Sequence, residues 1–329
     1  MKSTHANTAL KPMSETTSED DTLVVVGAQS RQSDVRRLLR TAASSLMLAE
    51  ADLCQSMLDV VFATTPATQG SVMLRDGNEL EVVAAHGHTV AIVGARMPRG
   101  RGVAWSVVES GHELHVFGVF SGGRRNYDSS RCAIVVPIVR QGEIIGTINL
   151  NRQQEGFSEA EFRWIRVVAE VLGRCLAVGA CVKDEVHPWW RSPQQCMMDM
   201  LSDDPTAQQA RQQTSEFAQT FARILRLGDM APRICLAASY MNLAELLVPD
   251  EALAEIAATE DIDRILREAS GTLLATFGVD EDVCEILSYS DEPWDGEEPQ
   301  ASSHPSIPTL SRLLVLAAEA VRCARERQQ

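Results

Sequence analysis

Two short segments in the C-terminal third carry the side chains with the best type and spacing for metal chemistry. One reads Y-M-N-L-A-E-L-L-V-P-D from Tyr240, and the other reads D-E-P-W-D-G-E-E-P from Asp291. A catalytic iron or manganese centre needs imidazoles and carboxylates as ligands. The residues of that kind near the second segment are Asp291, Glu292, Asp295 and, further along, His304. They keep open the hypothesis that the chain hydrolyses a phosphodiester with a bound metal.

The composition predicts a soluble, cytoplasmic protein with two domains. The chain has 329 residues, enough for two separate cores. No apolar run approaches the roughly 18 residues of a membrane span, and no secretory signal precedes the first polar segment. The eight cysteines form no CxxC pair, so they are most simply read as thiols in a reducing compartment. We expect no membrane association.

The net charge of −15 is concentrated in the second half of the chain. From Lys183 onward there are 26 acidic and 12 basic residues, whereas the preceding residues are almost neutral. An acidic surface repels phosphate backbones. The charge distribution therefore argues against nucleic acid as a partner.

The first half alternates between helical and extended patterns. Residues 1–22 are rich in polar residues and predict a disordered tail. Residues 34–46 and 51–64 have helical spacing, and several strand-like runs follow, two of them flanking Asp76-Gly77-Asn78. Ser158 and Glu161 have the spacing of a capping box, which predicts the start of a long helix.

This order of elements resembles a GAF domain over residues 23–182. The phrases that carry the resemblance are P-A-T-Q-G-S-V-M-L at 66–74, M-P-R-G-R-G-V-A-W-S-V-V-E-S-G at 97–111 and I-V-V-P-I-V-R-Q-G-E-I-I-G-T-I-N-L at 134–150. The resemblance implies an antiparallel sheet flanked by helices, a small-molecule pocket over the sheet and a homodimer formed through the flanking helices. The sequence does not identify the ligand.

Arginines cluster in the loops that cover the ligand pocket in GAF domains. They are Arg96, Arg99, Arg101, Arg124, Arg125 and Arg131. These side chains could receive an anionic ligand or meet the acidic second half. A set of solvated loop residues is an equally good interpretation.

The second half has helical periodicity with no clear strand. Residues 183–206 contain three prolines and several polar residues, so we interpret them as a linker. Residues 207–329 predict an all-α bundle. The chain as a whole is therefore expected to be α+β, with a GAF domain followed by helices.

The helical half resembles a degenerate HD-GYP domain, a metal-dependent phosphodiesterase fold that acts on cyclic di-GMP. Val248, Pro249 and Asp250 match the end of the family phrase L-H-D-I-G-K-I-x-V-P-D, and Trp294-Asp295-Gly296 matches the end of H-H-E-R-W-D-G. The residues that bind metal in the family are replaced. The replaced positions, called here the vestigial positions, are Met241, Asn242, Arg267, Ser290, Asp291 and Ala318.

The substitutions imply that no family-type metal centre can form, since a thioether, an amide and a guanidinium are poor ligands for such metals. We therefore expect no cofactor, no metal and no catalysis. The predicted function is regulatory, with the GAF domain as sensor and the helical domain acting on a signalling protein partner. Two alternatives stay open: a phosphodiesterase with a different ligand set, and a pure dimerisation scaffold.

Overall fold

A computed structural model describes residues 19–117, 132–152, 156–186, 191–201, 205–256, 262–289 and 304–327 of the chain. Six strands form one sheet in the order β3-β2-β1-β6-β5-β4, and all neighbouring strands are antiparallel. The strands are β1 Gln69–Asp76, β2 Glu79–His86, β3 Arg96–Pro98, β4 Leu114–Phe117, β5 Cys132–Arg140 and β6 Glu143–Arg152.

Helices precede, flank and follow this sheet. They are α1 Glu19–Ser45, α2 Glu50–Thr64, α3 Gly102–Ser110, α4 Glu159–Glu185, α5 Pro193–Leu201, α6 Pro205–Ile224, α7 Ala231–Tyr240, α8 Asp250–Ile256, α9 Ile262–Thr276, α10 Glu281–Ser288 and α11 Ile307–Glu326. Short 3-10 turns occupy Gly228–Met230 and Leu243–Leu247. The expected α+β class is confirmed.

The hairpins of the sheet form where the turn residues predict them. Gly77 has φ of 59° between β1 and β2, and Gln141 and Gly142 have φ of 52° and 82° between β5 and β6. A two-residue hairpin needs positive φ at both central residues in a type I′ turn, as at Gln141 and Gly142, or at the first of them in a type II′ turn, as at Gly77. The short strand β3 lies in a segment that the sequence suggests is a loop, because three residues are too few to show a period of two.

Helix α4 is buried on more than one side. Its start has the predicted capping box, because Ser158 and Glu161 exchange side-chain and backbone hydrogen bonds. Fifteen of its 27 residues are buried, more than a single apolar stripe would supply. One side packs on β5 and β6, and other contacts are to α1, α5, α8 and the Leu243–Leu247 turn. The helix is therefore shared between the sheet and the helical half.

The termini of the predicted segments differ from the observed elements. Helix α1 begins at Glu19, inside the segment expected to be a tail, and includes Leu23–Val26. The segment interpreted as a linker contains α5, whose Cys196 and Met197 are buried in the common core. Prolines end helices but also start them, so Pro193 and Pro205 stand in the first turns of α5 and α6.

Polar contacts within the described part of the chain join the sheet domain to the helical half. Arg174 of α4 donates a hydrogen bond from Nε to the carbonyl oxygen of Leu246 at 2.8 Å. Arg36 of α1 lies 3.1 Å from the carboxylate of Glu268 on α9, where Glu268 is buried. Apolar residues of both halves pack in one continuous cluster around these contacts. None of the helices in the described part of the chain combines the length and apolarity that crossing a bilayer requires.

Candidate functional site

The helical half holds an open cavity of about 800 Å³ between α6, α9, α11 and the chain that follows α7. Four of the vestigial positions line it: Met241, Asn242, Arg267 and Ala318. They come from three separate stretches of sequence, so their convergence is a property of the tertiary fold. The other two, Ser290 and Asp291, lie outside the described residues, as do Glu292 and Asp295.

A buried serine holds the wall of the cavity that carries Met241 and Asn242. Ser270 of α9 is fully buried, and its Oγ accepts a hydrogen bond from the Ala244 backbone at 3.0 Å. The same hydroxyl lies 3.0 Å from the carbonyl oxygen of Met241 and 2.9 Å from that of Leu266. One side chain thus satisfies backbone groups of two segments, which fixes their separation.

Charged side chains of both signs line the cavity. The cations are Arg211, Arg264, Arg267, Arg322 and Arg325, and the anions are Glu245, Asp263, Glu319 and Glu326. Arg322 pairs with Glu319 at 2.6 Å and with Glu326 at 2.7 Å, so these opposite charges near the C-terminal end of α11 compensate one another within the helix. Arg211 and Arg267 are buried, which places cationic groups inside an otherwise acidic domain.

The surroundings of Glu245 shift the pKa of its carboxyl group in both directions. Burial raises its pKa, and the repulsion of Asp263 adds to that effect. A hydrogen bond from the Asn242 amide and the nearby Arg211 guanidinium lower the pKa in turn. Burial is the largest of these effects. Glu245 therefore has a higher proton affinity than an exposed glutamate.

The vestigial positions that line the cavity are poorly suited to a hard metal ion. A thioether, a carboxamide, a guanidinium and a methyl group stand at the four described vestigial positions, and none of them is a carboxylate or an imidazole. Among the described residues, no three histidine, cysteine or carboxylate side chains come together in a group able to hold a metal. Asn242 instead donates its amide hydrogen to Glu245.

The GAF arginines that the structure describes do not converge on one point. Arg96 lies on the edge strand β3 and pairs with Asp76 at 3.0 Å and with Glu79 at 3.3 Å, and it also contacts Glu81. Arg99 pairs with Glu109 at 2.9 Å, and Arg101 is the residue before α3. Arg124, Arg125 and Arg131 lie outside the described residues.

The sheet face beneath α3 is filled by apolar side chains. Trp105 of α3 is 2% exposed and packs with Met73, Leu80 and Val82, and its indole nitrogen donates to the Met97 carbonyl at 2.9 Å. Trp105 therefore covers part of this face and also satisfies its own polar group.

Two buried cysteines of the sheet domain, Cys54 and Cys175, are poor nucleophiles. Burial raises the pKa of Cys54 and that of Cys175 to about 12. A thiol must lose its proton to react, and these two keep theirs at neutral pH. No two of the eight cysteines form a disulfide.

Comparison with known proteins places a GAF domain in the first half of the chain. The family model described as a GAF domain matches residues 48–177, so the predicted GAF domain is confirmed there. No curated protein matches the chain.

Several solved structures are similar to the same part of the chain. The GAF domain of a phosphoenolpyruvate-protein phosphotransferase from Coxiella burnetii is 19% identical, covers 48% of this chain and 99% of its own, and has a TM-score of 0.41. The corresponding domain from Acinetobacter is 16% identical, covers 48% and 96%, and has a TM-score of 0.40. A type II free methionine-R-sulfoxide reductase from Thermoplasma acidophilum is 19% identical, covers 40% and 94%, and has a TM-score of 0.36.

Arg211 and Arg264 also line the cavity, and sequence reasoning missed both. A signal for Arg211 does exist, because it shares the helical face of Thr214, Ala218 and Ala222. A charged residue on the face that packs inward must meet either a partner or a cavity. Arg264 is half-buried near the start of α9, between the exposed Asp263 and the buried Ile265.

Proposed function

We propose that this chain is a signal-transduction regulatory protein in which a GAF sensor controls a catalytically inactive, HD-GYP-like helical domain. The GAF domain indicates a sensory or regulatory role. In the proposal, the helical domain carries no hydrolytic activity and acts by contacting another signalling protein in the cytoplasm. The eight unpaired thiols are consistent with that compartment.

The observation that carries the proposal is the common location of Met241, Asn242, Arg267 and Ala318 at one cavity. The alignment to the HD-GYP phrases selects these positions from distant parts of the sequence, and unrelated positions would have no reason to meet. Their side chains are of types that do not hold iron or manganese. The cavity thus supports an HD-GYP-like fold that lacks the metal ligands of the HD-GYP phosphodiesterases.

Contacts of α4 support the coupling between the two domains. This helix packs on the GAF sheet with one side, and its Arg174 bonds the Leu246 carbonyl in the turn Leu243–Leu247. That turn also carries Glu245, which lines the cavity. A shift of α4 would therefore move the cavity wall. Such coupling acts as regulation only if the GAF input binds two positions of α4 with different affinity.

The proposal is tested by metal analysis and a hydrolysis assay on the purified full chain. We expect no stoichiometric iron or manganese after purification and no hydrolysis of cyclic di-GMP when either metal is added. An active HD-GYP phosphodiesterase treated in parallel provides the positive control for metal loading and turnover.

Bound metal or turnover would contradict the proposal and favour the phosphodiesterase alternative. If turnover occurs, Asp291→Asn and Asp295→Asn identify whether the carboxylates of the second segment supply the ligands. A matched Asp282→Asn variant, in the first turn of α10, controls for the loss of an acidic side chain elsewhere in the domain.

A further inference from the structure

An apolar stripe on α6 is exposed to solvent. Phe217 is 44% exposed and Ile224 is 69% exposed, and Phe221 between them is partly buried. The rings of Phe217 and Phe221 stack with their centroids 6.4 Å apart. The spacing of four and three residues places all three side chains, here called the α6 stripe, on one side of the helix. Leu225, directly after the helix, is 50% exposed.

The α6 stripe is not the face that holds the helix in its own domain. The buried residues of α6 are Arg211, Thr214, Ala218 and Ala222, which repeat every three or four residues on a neighbouring face. That face makes the contacts with α7 and α11. Large side chains clustered on the outer surface of a helix commonly mark a place of association.

Two opposite charges flank the stripe on the same side. Glu216 and Arg223 are seven residues apart, so they occupy equivalent positions two turns apart along the helix. Their observed hydrogen bonds are local: Glu216 accepts from Gln212 at 3.0 Å, and Arg223 donates to Gln219 at 3.4 Å. Within the described part of the chain, neither forms an ion pair with an oppositely charged side chain.

This arrangement is complementary to itself in an antiparallel pairing. A two-fold axis passing between Gln219 and Thr220 brings Glu216 opposite the partner subunit's Arg223, and the same contact repeats with the roles exchanged. The same axis brings Phe217 against the partner subunit's Phe221. An interface that is repeated by a two-fold axis must be complementary to itself. In a parallel pairing, by contrast, the two-fold axis would run along the helices and place the charged residues of the two copies on opposite sides of the interface, so neither charge would meet an opposite one.

We propose that the α6 stripe is a self-association surface, on which a second copy of this chain binds in antiparallel orientation. The outer side of α4, a helix that flanks the GAF sheet, already packs against α5, α8 and the Leu243–Leu247 turn of the same chain. The α6 stripe is accessible instead. A single pair of helices buries less area than a standard stable interface, so we expect a dimer that dissociates on dilution.

Sedimentation velocity of the full chain over a wide range of concentration tests the proposal. The wild-type protein is expected to shift from monomer to dimer with increasing concentration. Glu216→Arg and Arg223→Glu each place like charges opposite one another, and each is expected to weaken the dimer about tenfold. An equimolar mixture of these two variants restores both attractions and is expected to form a heterodimer.

The double variant Glu216→Arg/Arg223→Glu exchanges the charges without changing their complementarity, so it is expected to dimerise like the wild type. Phe217→Ser removes the apolar centre and is expected to weaken the dimer at least tenfold. Val93→Ser is the matched control, because Val93 is 61% exposed and lies outside α6. Thermal melting of each variant excludes unfolding as the cause.

Three results would overturn the proposal. The first is a wild-type protein that stays monomeric at every concentration. The second is a dimer that Phe217→Ser leaves unchanged, which would place association elsewhere, for instance on the GAF flanking helices. The third is a mixture of the two charge variants that remains as weak as each variant alone.

Discussion

The two halves of the molecule treat buried polar groups differently. In the described part of the GAF domain the buried polar residues are the small and neutral Ser45, Ser71 and Thr147. In the helical half, Arg211, Arg267 and Glu268 are buried. The described part of the sheet domain thus buries no charged side chain, whereas the helical domain keeps charge inside at its cavity and at its junction with α1. A buried charge costs free energy unless it is paired, so its retention points to a constraint other than stability.

The GAF domain carries its charged pairs at the surface. Arg96 in the GAF domain forms three ion pairs, yet its side chain is 48% exposed and so are most of its partners. Such pairs contribute little to folding because water and salt screen them. Substitutions in the GAF core should therefore change the free energy of unfolding through steric clashes, independently of pH. Substitutions at the buried charges of the helical half should change it by an amount that depends on pH.

The largest effect is expected at Gly173, where α4 approaches the sheet most closely. A Cβ atom at Gly173 would lie 2.0 Å from the carbonyl oxygen of Val139, a backbone atom of β5 that cannot rotate away. Gly173→Ala should lower the free energy of unfolding by about 3 kcal/mol, despite the better helix propensity of alanine. Urea denaturation followed by circular dichroism measures it, and the loss should be the same at every pH.

Gly271 of the helical half provides the comparison for that variant. There the nearest atom to an added Cβ is the Ser288 hydroxyl at 2.3 Å, a side chain that can change rotamer. The Cys284 carbonyl oxygen follows at 2.8 Å. We expect Gly271→Ala to cost less than Gly173→Ala, and Ser288→Ala to recover part of it. Equal losses of unfolding free energy in the two variants would show that the two halves tolerate an added Cβ equally badly, and would contradict the comparison.

An intermediate effect is expected at the junction between α1 and α9. Arg36→Ala leaves Glu268 buried without its 3.1 Å partner. Because Arg36 is partly exposed and Arg264, Arg40 and Arg267 also act on Glu268, the expected loss is about 1.5 kcal/mol rather than the full cost of a broken buried pair. Denaturation at neutral pH measures this loss.

The pH dependence of that loss identifies its cause. Burial raises the pKa of Glu268. The folded state of the protein is therefore more stable when this carboxyl group is protonated. The loss from Arg36→Ala should shrink as pH falls through the raised pKa, and Glu268→Gln should restore most of the stability at neutral pH. Arg37→Ala on the exposed side of α1 is the control. A loss independent of pH would indicate packing by the arginine stem instead.

The smallest change in the free energy of unfolding is expected at Glu245, where the substitution should stabilise the protein rather than destabilise it. Because burial raises the pKa of Glu245, the wild type has its full stability below the ordinary glutamate pKa and loses some as pH rises through the raised value. Glu245→Gln should therefore match the wild type in acid and exceed it by about 0.5 kcal/mol at neutral pH. The exposed Glu255→Gln variant should show no such difference. Destabilisation at neutral pH would mean that Arg211 needs this carboxylate.

Sequence reasoning recovered the GAF fold because its signals are local. The turn at Gly77, the capping box at Ser158 and the alternation along β2 each involve residues close together in the chain, and each appears in the structure. The helical character of the second half was also predicted from its period, although α6 begins at Pro205, inside the segment interpreted as a linker. Its early turns are rich in glutamine and alanine, which give no apolar period to detect.

The sequence by itself determined which residue types stand at the vestigial positions, five of which hold neither an imidazole nor a carboxylate. Only the tertiary structure decided that Met241, Asn242, Arg267 and Ala318 meet at one cavity with the buried Arg211. It also decided that α4 packs on two sides and that the α6 stripe faces solvent. Those facts depend on contacts between distant segments, whereas residue type and period are local properties of the chain.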